Sequence, residues 1–133
     1  MGWRQTELAH FGDRLTWLDD SAAARTYTQA IEHNSHGHYG LKSSNFRQVE
    51  RLDVDTTSDG GADWLTARVG SGRVRIVFGR LDVCLVDASF FLANWQDMFC
   101  PSRDDVIVLP EMGDWVLFYC HEDEFEYGIR SPA

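Results

Sequence analysis

A chain of 133 residues with 44% hydrophobic and 13% aromatic content lies well outside the disordered regime and is large enough to fold as one domain, residues 1–133, without disulfides or metals. Its 21 acidic residues against 12 basic give a formal net charge of −9, which excludes nucleic-acid binding through phosphates and favours a cationic partner. No stretch approaches the roughly 18 consecutive apolar residues of a membrane span and no apolar leader follows Met1, so no membrane contact and a cytoplasmic location are expected.

The first forty residues have helical periodicity. Leu8, Phe11, Leu15 and Leu18 share one helical face, although Gly12 weakens the middle. Asp19, Asp20 and Ser21 are N-cap candidates for a helix over 22–32, with Ala23, Tyr27, Ala30 and Ile31 as its buried stripe and a stop at Asn34-Ser35-His36-Gly37. From Phe46 the period becomes two. The sequence predicts strands over 46–55, 64–69, 73–78 and 81–87, the last three forming a meander, with Thr56–Gly61 as a loop. Val74, Ile76 and Phe78 should face a core while Arg73, Arg75 and Val77 face a partly wet side. Phe91, Leu92, Trp95 and Phe99 fall at helical spacing in a helix over 88–99 that Pro101 stops. Strands follow at 106–109 and 115–120, the second apolar on both alternating sets and therefore central. The expected fold is α+β, a single domain with a mainly antiparallel sheet of five or six strands, two to three helices and helices at the N-terminus.

The chemical motifs in the chain are incomplete. His33, His36 and His38 could present three imidazoles to one metal ion, as a catalytic zinc site does, but their spacing follows no zinc signature; a polar loop after a helix, with His33 complementing the helix dipole, is the simpler reading. Asp55, Thr57, Asp59 and Asp63 with Gly60 resemble the start of a calcium loop, yet Thr66 stands where the bidentate Glu belongs. Ser35 and Ser89 lack a nucleophile elbow, and the glycine pairs lack the lysine and helix of a phosphate loop. Cys84, Cys100 and Cys120 sit among apolar neighbours without a Cys-x-x-Cys pair and are expected to be reduced and buried. No cofactor is expected, and no catalytic residue is assigned.

Charge is distributed unevenly. Residues 81–133 hold 11 acidic and 2 basic residues, a net −9 that equals the whole chain's. Asp97, Asp104, Asp105, Glu111, Asp114, Glu122, Asp123, Glu124 and Glu126 flank the two predicted C-terminal strands and should lie close together if those strands pair. In a further terminal strand, Phe125 and Tyr127 would alternate with Glu124 and Glu126, and Tyr127 is the expected aromatic anchor of a partner-binding face.

Size, α+β make-up, the missing export signal and the pattern Trp115-Val116-Leu117-Phe118-Tyr119-Cys120-His121-Glu122-Asp123-Glu124-Phe125-Glu126 resemble the small acidic immunity proteins that bacteria encode beside toxins of contact-dependent and type VI systems. The resemblance implies a cytoplasmic, non-enzymatic inhibitor that covers the active site of a cognate toxin domain, a basic nuclease being the natural complement of a carboxylate array. The alternative expectation is a small metal-dependent hydrolase or metal-binding protein using His33, His36 and His38.

Overall fold

Alternating apolar residues in the second half of the chain build most of an antiparallel sheet whose two faces are both closed by helices. The structure is a computed structural model and describes residues 2–34 and 40–131. In chain order the elements are α1 (Trp3–Glu7), a 3-10 stretch over Ala9–Arg14, β1 (Thr16–Trp17), α2 (Asp20–Ile31), β2 (Phe46–Asp53), α3 (Ala62–Val69), β3 (Arg73–Gly79) and β4 (Asp82–Asp87). They continue as α4 (Ala88–Met98), β5 (Val106–Pro110), β6 (Trp115–Cys120) and β7 (Glu124–Arg130), with 3-10 turns at Ser43–Asn45 and Val54–Thr56. The seven strands lie in the order β1-β4-β3-β5-β6-β7-β2. The α+β class and the antiparallel sheet are as expected, with seven strands where five or six were foreseen.

Successive side chains of a strand point to opposite faces, so each central strand feeds two cores. One face carries Ile76, Cys84, Val108, Leu117, Tyr119 and Phe125, packed against Leu65 and Val69 of α3 and Phe91, Trp95 and Met98 of α4. The opposite face carries Val77, Val83, Ile107, Leu109, Val116 and Phe118 beneath Ala23 and Ala30 of α2. Small alanines let that helix approach the sheet closely. The side of β3 expected to be partly wet is therefore covered in part by α2. β6, flanked by β5 and β7, is buried along Val116–Cys120, as its two-sided apolar pattern requires.

Three local expectations are altered. The N-terminal helical face breaks into α1, which ends at Glu7, the 3-10 stretch, which Gly12 kinks at φ +60, and β1; Leu8 and Leu15 are still buried. Asp19 is the cap of α2, accepting the Ala22 amide at 2.8 Å, but Thr26 takes the buried position in its stripe and Ile31 is exposed. Residues 64–69, expected as a strand, lie in α3. Leu65 and Val69, one helical turn apart, are the pair it buries, and the Arg68 guanidinium lies 4.2 Å over the Trp64 ring four residues earlier. Asp59 accepts the Asp63 amide at 2.9 Å and starts the helix, so the calcium-like loop is a helix entry.

The N-terminal segment is tied to the sheet by a buried ion pair. Arg4 donates to both carboxylate oxygens of Asp104, at 2.9 and 3.0 Å, across a sequence separation of 100. Asp104 also accepts Arg103 Nε at 2.8 Å and the Cys100 amide at 2.7 Å. Burial alone would raise this carboxyl's pKa, but the hydrogen bonds from Arg103, Arg4 and the Cys100 amide overcome it and hold the group well below the usual carboxylate range. A depressed folded-state pKa contributes stability that is complete above the unfolded value of about 4 and is lost as pH falls through the folded value. Asp104→Asn is expected to remove about 3 kcal/mol, since it leaves Arg4 buried with half its partner, and to flatten the acid limb of stability below about pH 4. Chemical denaturation of parent and variant between neutral and acidic pH checks both.

Candidate functional site

The acidic feature with a rigid mount is the β6–β7 turn. Cys120 and Glu124 are paired and Asp123 closes the three-residue connection with φ +60, a left-handed conformation that Asp tolerates better than most side chains. The Asp123 amide donates to the Cys120 carbonyl at 3.0 Å and its carboxylate accepts the buried Tyr119 hydroxyl at 2.8 Å. Burial first, and the bond to Asp123 second, push the Tyr119 phenol upward, so it remains the donor. β2 lies along the outer edge of β7 with Asp53 opposite Glu124, and the Val54 amide donates to the Asp123 carbonyl at 3.1 Å. On the other flank, Asp105 accepts the His121 amide at 3.1 Å and the Ser102 amide donates to the His121 carbonyl at 2.7 Å.

Four segments thus meet at one end of the sheet and bring Asp53, Asp55, Asp105, Glu122, Asp123 and Glu124 together. The nearby arginines are engaged elsewhere. Arg103 binds Glu7 at 2.8 and 3.0 Å as well as Asp104, which raises its own pKa further. Arg51 is paired with Glu126. Among the described residues, Asp55, Glu122 and Glu124 form neither a side-chain hydrogen bond nor an ion pair. The result is a fixed cluster at the strand ends in which the His121 ring meets Asp105, at 3.0 Å, and the Tyr119 hydroxyl meets Asp123, while Asp55, Glu122 and Glu124 carry no such partner.

Only part of the predicted surface lies there. Glu111 and Asp114 sit in the β5–β6 turn, at the opposite end of a hairpin in which Val106 pairs with Tyr119. Five residues of β5 separate the two ends by roughly 17 Å. Both are matched by arginine: Glu111 binds Arg73 at 3.1 and 2.7 Å, and Asp114 lies 3.9 Å from Arg47. Three further residues are inside the protein. Asp104 is 2% exposed in the ion pair with Arg4. Glu126 is 6% exposed and clamps the returning chain, accepting the Leu41 amide at 2.6 Å and Arg51 Nε at 3.0 Å. A Cβ at Gly40 would lie 2.8 Å from that carboxylate, so glycine is required by close approach. Tyr127 is 9% exposed, stacked on Trp115 with ring centres 5.8 Å apart and edge-on to Trp64 at 6.4 Å. Asp97 is exposed near the end of α4, and with Asp59 it lines a shallow cleft of about 130 Å³.

Sequence reasoning missed Asp53 and Asp55. They reach the site through pairing between β2 and β7, about 75 residues apart in the chain, and no local pattern announces such a pairing. Of the histidine trio, His36 and His38 lie outside the described residues. His33 packs its ring 5.6 Å from Phe46, and burial first, then the charge of Arg130, lower its pKa. Cys84 and Cys120 are buried as expected, the first with its thiol pushed up to about 12 by burial, whereas Cys100 is exposed beyond the end of α4. Compared with known proteins, the chain matches no family model, no curated protein and no solved structure.

Two outcomes follow from these placements. Tyr127→Ala is expected to cost about 3 kcal/mol of folding stability by opening a cavity between Trp115 and Trp64, so denaturant midpoints will move before any surface property does. Thiol titration of the native protein should give one rapid equivalent, from Cys100, and the remaining two only after unfolding; rapid native labelling of Cys84 or Cys120 would contradict the burial.

Proposed function

We propose that this protein is a cytoplasmic inhibitor of the immunity-protein type, which docks its acidic end onto the basic surface of a cognate toxin domain and blocks it stoichiometrically, without turnover. The observation that carries this reading is the convergence of Asp53, Asp55, Asp105, Glu122, Asp123 and Glu124 on a turn held by paired strands, beside arginines that are already engaged. A rigid carboxylate array presents its charge without an entropy cost of ordering, and is matched to a surface built to bind phosphates. A nuclease domain is the partner of that chemistry, because its substrate groove must be basic.

In this reading the carboxylates chiefly set encounter and register. Solvent-exposed charges raise association rates by long-range attraction, while binding energy concentrates in a few desolvated contacts. Tyr127, being in the core, is not such a contact; the exposed rim around the turn must supply it.

Stopped-flow association with a basic toxin domain encoded beside this gene is the test. The rate is expected to approach roughly 10⁸ M⁻¹s⁻¹ at low ionic strength and to fall steeply as salt screens the field. Replacing Asp53, Asp55, Glu122 and Glu124 together by Asn or Gln should slow association by on the order of tenfold or more while leaving the denaturation midpoint nearly unchanged, since Asn at 53 keeps a side-chain oxygen for the Asp55 amide and the other positions are exposed or half-buried. A rate indifferent to salt, or a neutralised variant that associates as fast as the parent, would remove the acidic end from the interface.

A further inference from the structure

At the other end of the sheet lies a cavity of about 430 Å³, between the C-terminus of α2 and the ends of β3, β5, β6 and β7. Its lining includes two arginines, Arg75 and Arg130, and the His33 imidazole. Arg75 occupies a central position on β3, opposite Leu85 on one neighbour and Leu109 on the other, on the face that α2 covers. Alternate residues on that face are apolar, and a guanidinium there is costly unless something pairs with it. Nothing in the described chain does. Arg75 Nε is buried with no hydrogen-bond partner, and Arg75 forms no ion pair among the described residues.

The contrast with its neighbours is informative. Arg73, two residues earlier on the same face, is held bidentately by Glu111, at 3.1 and 2.7 Å. Arg130 donates a single bond to the Gly113 carbonyl at 3.2 Å and keeps its other donors. His33 Nδ1 is likewise buried without a partner. In an acidic protein, two arginines with spare donors and an imidazole with an unpartnered buried nitrogen line one cavity, a set of groups with the chemistry to meet an oxyanion. Leu109, Pro110, Trp115 and Val116 supply the apolar part of its lining. Glu32 and Glu111 also border the cavity, and their charge would repel a dianion such as phosphate about twice as strongly as a singly charged carboxylate.

We propose that this cavity binds a small monocarboxylate, with the carboxylate received by Arg75 and Arg130 and an apolar body lying against Trp115 and Leu109. The site is separate from the acidic end and does not depend on the partner proposed for it. His33 supplies a further N–H. Burial first, and then the charge of Arg130, lower its pKa and so favour the neutral ring.

The experiment titrates the full chain with sodium benzoate and sodium butyrate, following the Arg75 Nε–H resonance by NMR, with sodium chloride and sodium phosphate at matched ionic strength. Saturable movement of that resonance with the carboxylates is expected, with phosphate and chloride weaker. Arg75→Met keeps much of the half-buried side chain's volume and removes an Nε–H that is buried without a partner, so it is expected to fold about as stably as the parent. Followed by calorimetry, it should bind benzoate at least about tenfold more weakly, as the loss of a charge-assisted hydrogen bond requires. Arg130→Gln, at an exposed position, should weaken binding several-fold and carries the test if the first variant does not fold. The proposal is overturned if neither carboxylate saturates, if chloride reproduces the shift, if phosphate binds more tightly than benzoate, or if the folded variants titrate like the parent.

Discussion

Burial of both faces of β5 and β6 is the constraint on which the rest of this structure depends. With apolar residues required on both sides, the central strands carry no polar positions between Val106 and Pro110, and those of β6 are Tyr119 and Cys120. Charge is therefore pushed to the strand ends or into pairs. Asp104, two residues before β5, is buried only because Arg4 and Arg103 meet it; Glu126, inside β7, only because Arg51 and the Leu41 amide do. Each pair also fixes a distant segment: the first docks α1 beside the start of β5, and the second holds the chain after the α2 turn against β7. Removing one partner would leave a charge in a low-dielectric site, so these contacts specify where the segments go even where their net contribution to stability is small.

The same constraint gives the molecule two electrically different ends. At the β6–β7 turn, carboxylates from four segments accumulate beside arginines already engaged. At the β5–β6 turn, Glu111 and Asp114 are answered by Arg73 and Arg47, and the cavity beside them holds Arg75 and Arg130. A net charge of −9 is thus concentrated at one end, while in the recess at the other end Arg75 and Arg130 stand beside Glu32 and Glu111. The charge of residues 81–133 misleads if read along the chain, because antiparallel pairing sends alternate turns to opposite ends. Chain segments that are neighbours in sequence become distant, and Asp53, far away in sequence, becomes a neighbour of Glu124.

What could be read from the sequence was what short-range chemistry determines. The two-sided apolar run at Trp115–Cys120, the cap at Asp19 and the amphipathic helix before Pro101 need only local pattern, and each is found. α3 was not legible because Trp64, Thr66 and Val69 favour strands individually, while the helix rests on the Leu65 and Val69 pair meeting a core whose existence the local sequence does not state. Tyr127 alternates with carboxylates and so resembles a surface residue. Its burial comes from Trp115 across the β6–β7 ladder and from Trp64 on α3, both tertiary facts. Arg75 was legible as an arginine on a strand; that α2 would cover its face without supplying a carboxylate was not.

β7 runs from one site to the other, beginning at Glu124 in the acidic end and finishing at Arg130 beside the cavity. Coupling between two sites needs an element with two arrangements that both ligands bias. β7 offers none: it is laddered to β6 over Trp115–Cys120 and to β2 over Phe46–Asp53, and a one-residue slip would turn Phe125 and Tyr127 away from α3 and α4, put Glu124 and Glu126 in their place and break the Glu126 contacts to Leu41 and Arg51. Such a strand transmits position faithfully and has no second state to populate. On this account, occupation of the Arg75 cavity and docking at the acidic end are energetically independent, and each can be tested without regard to the state of the other.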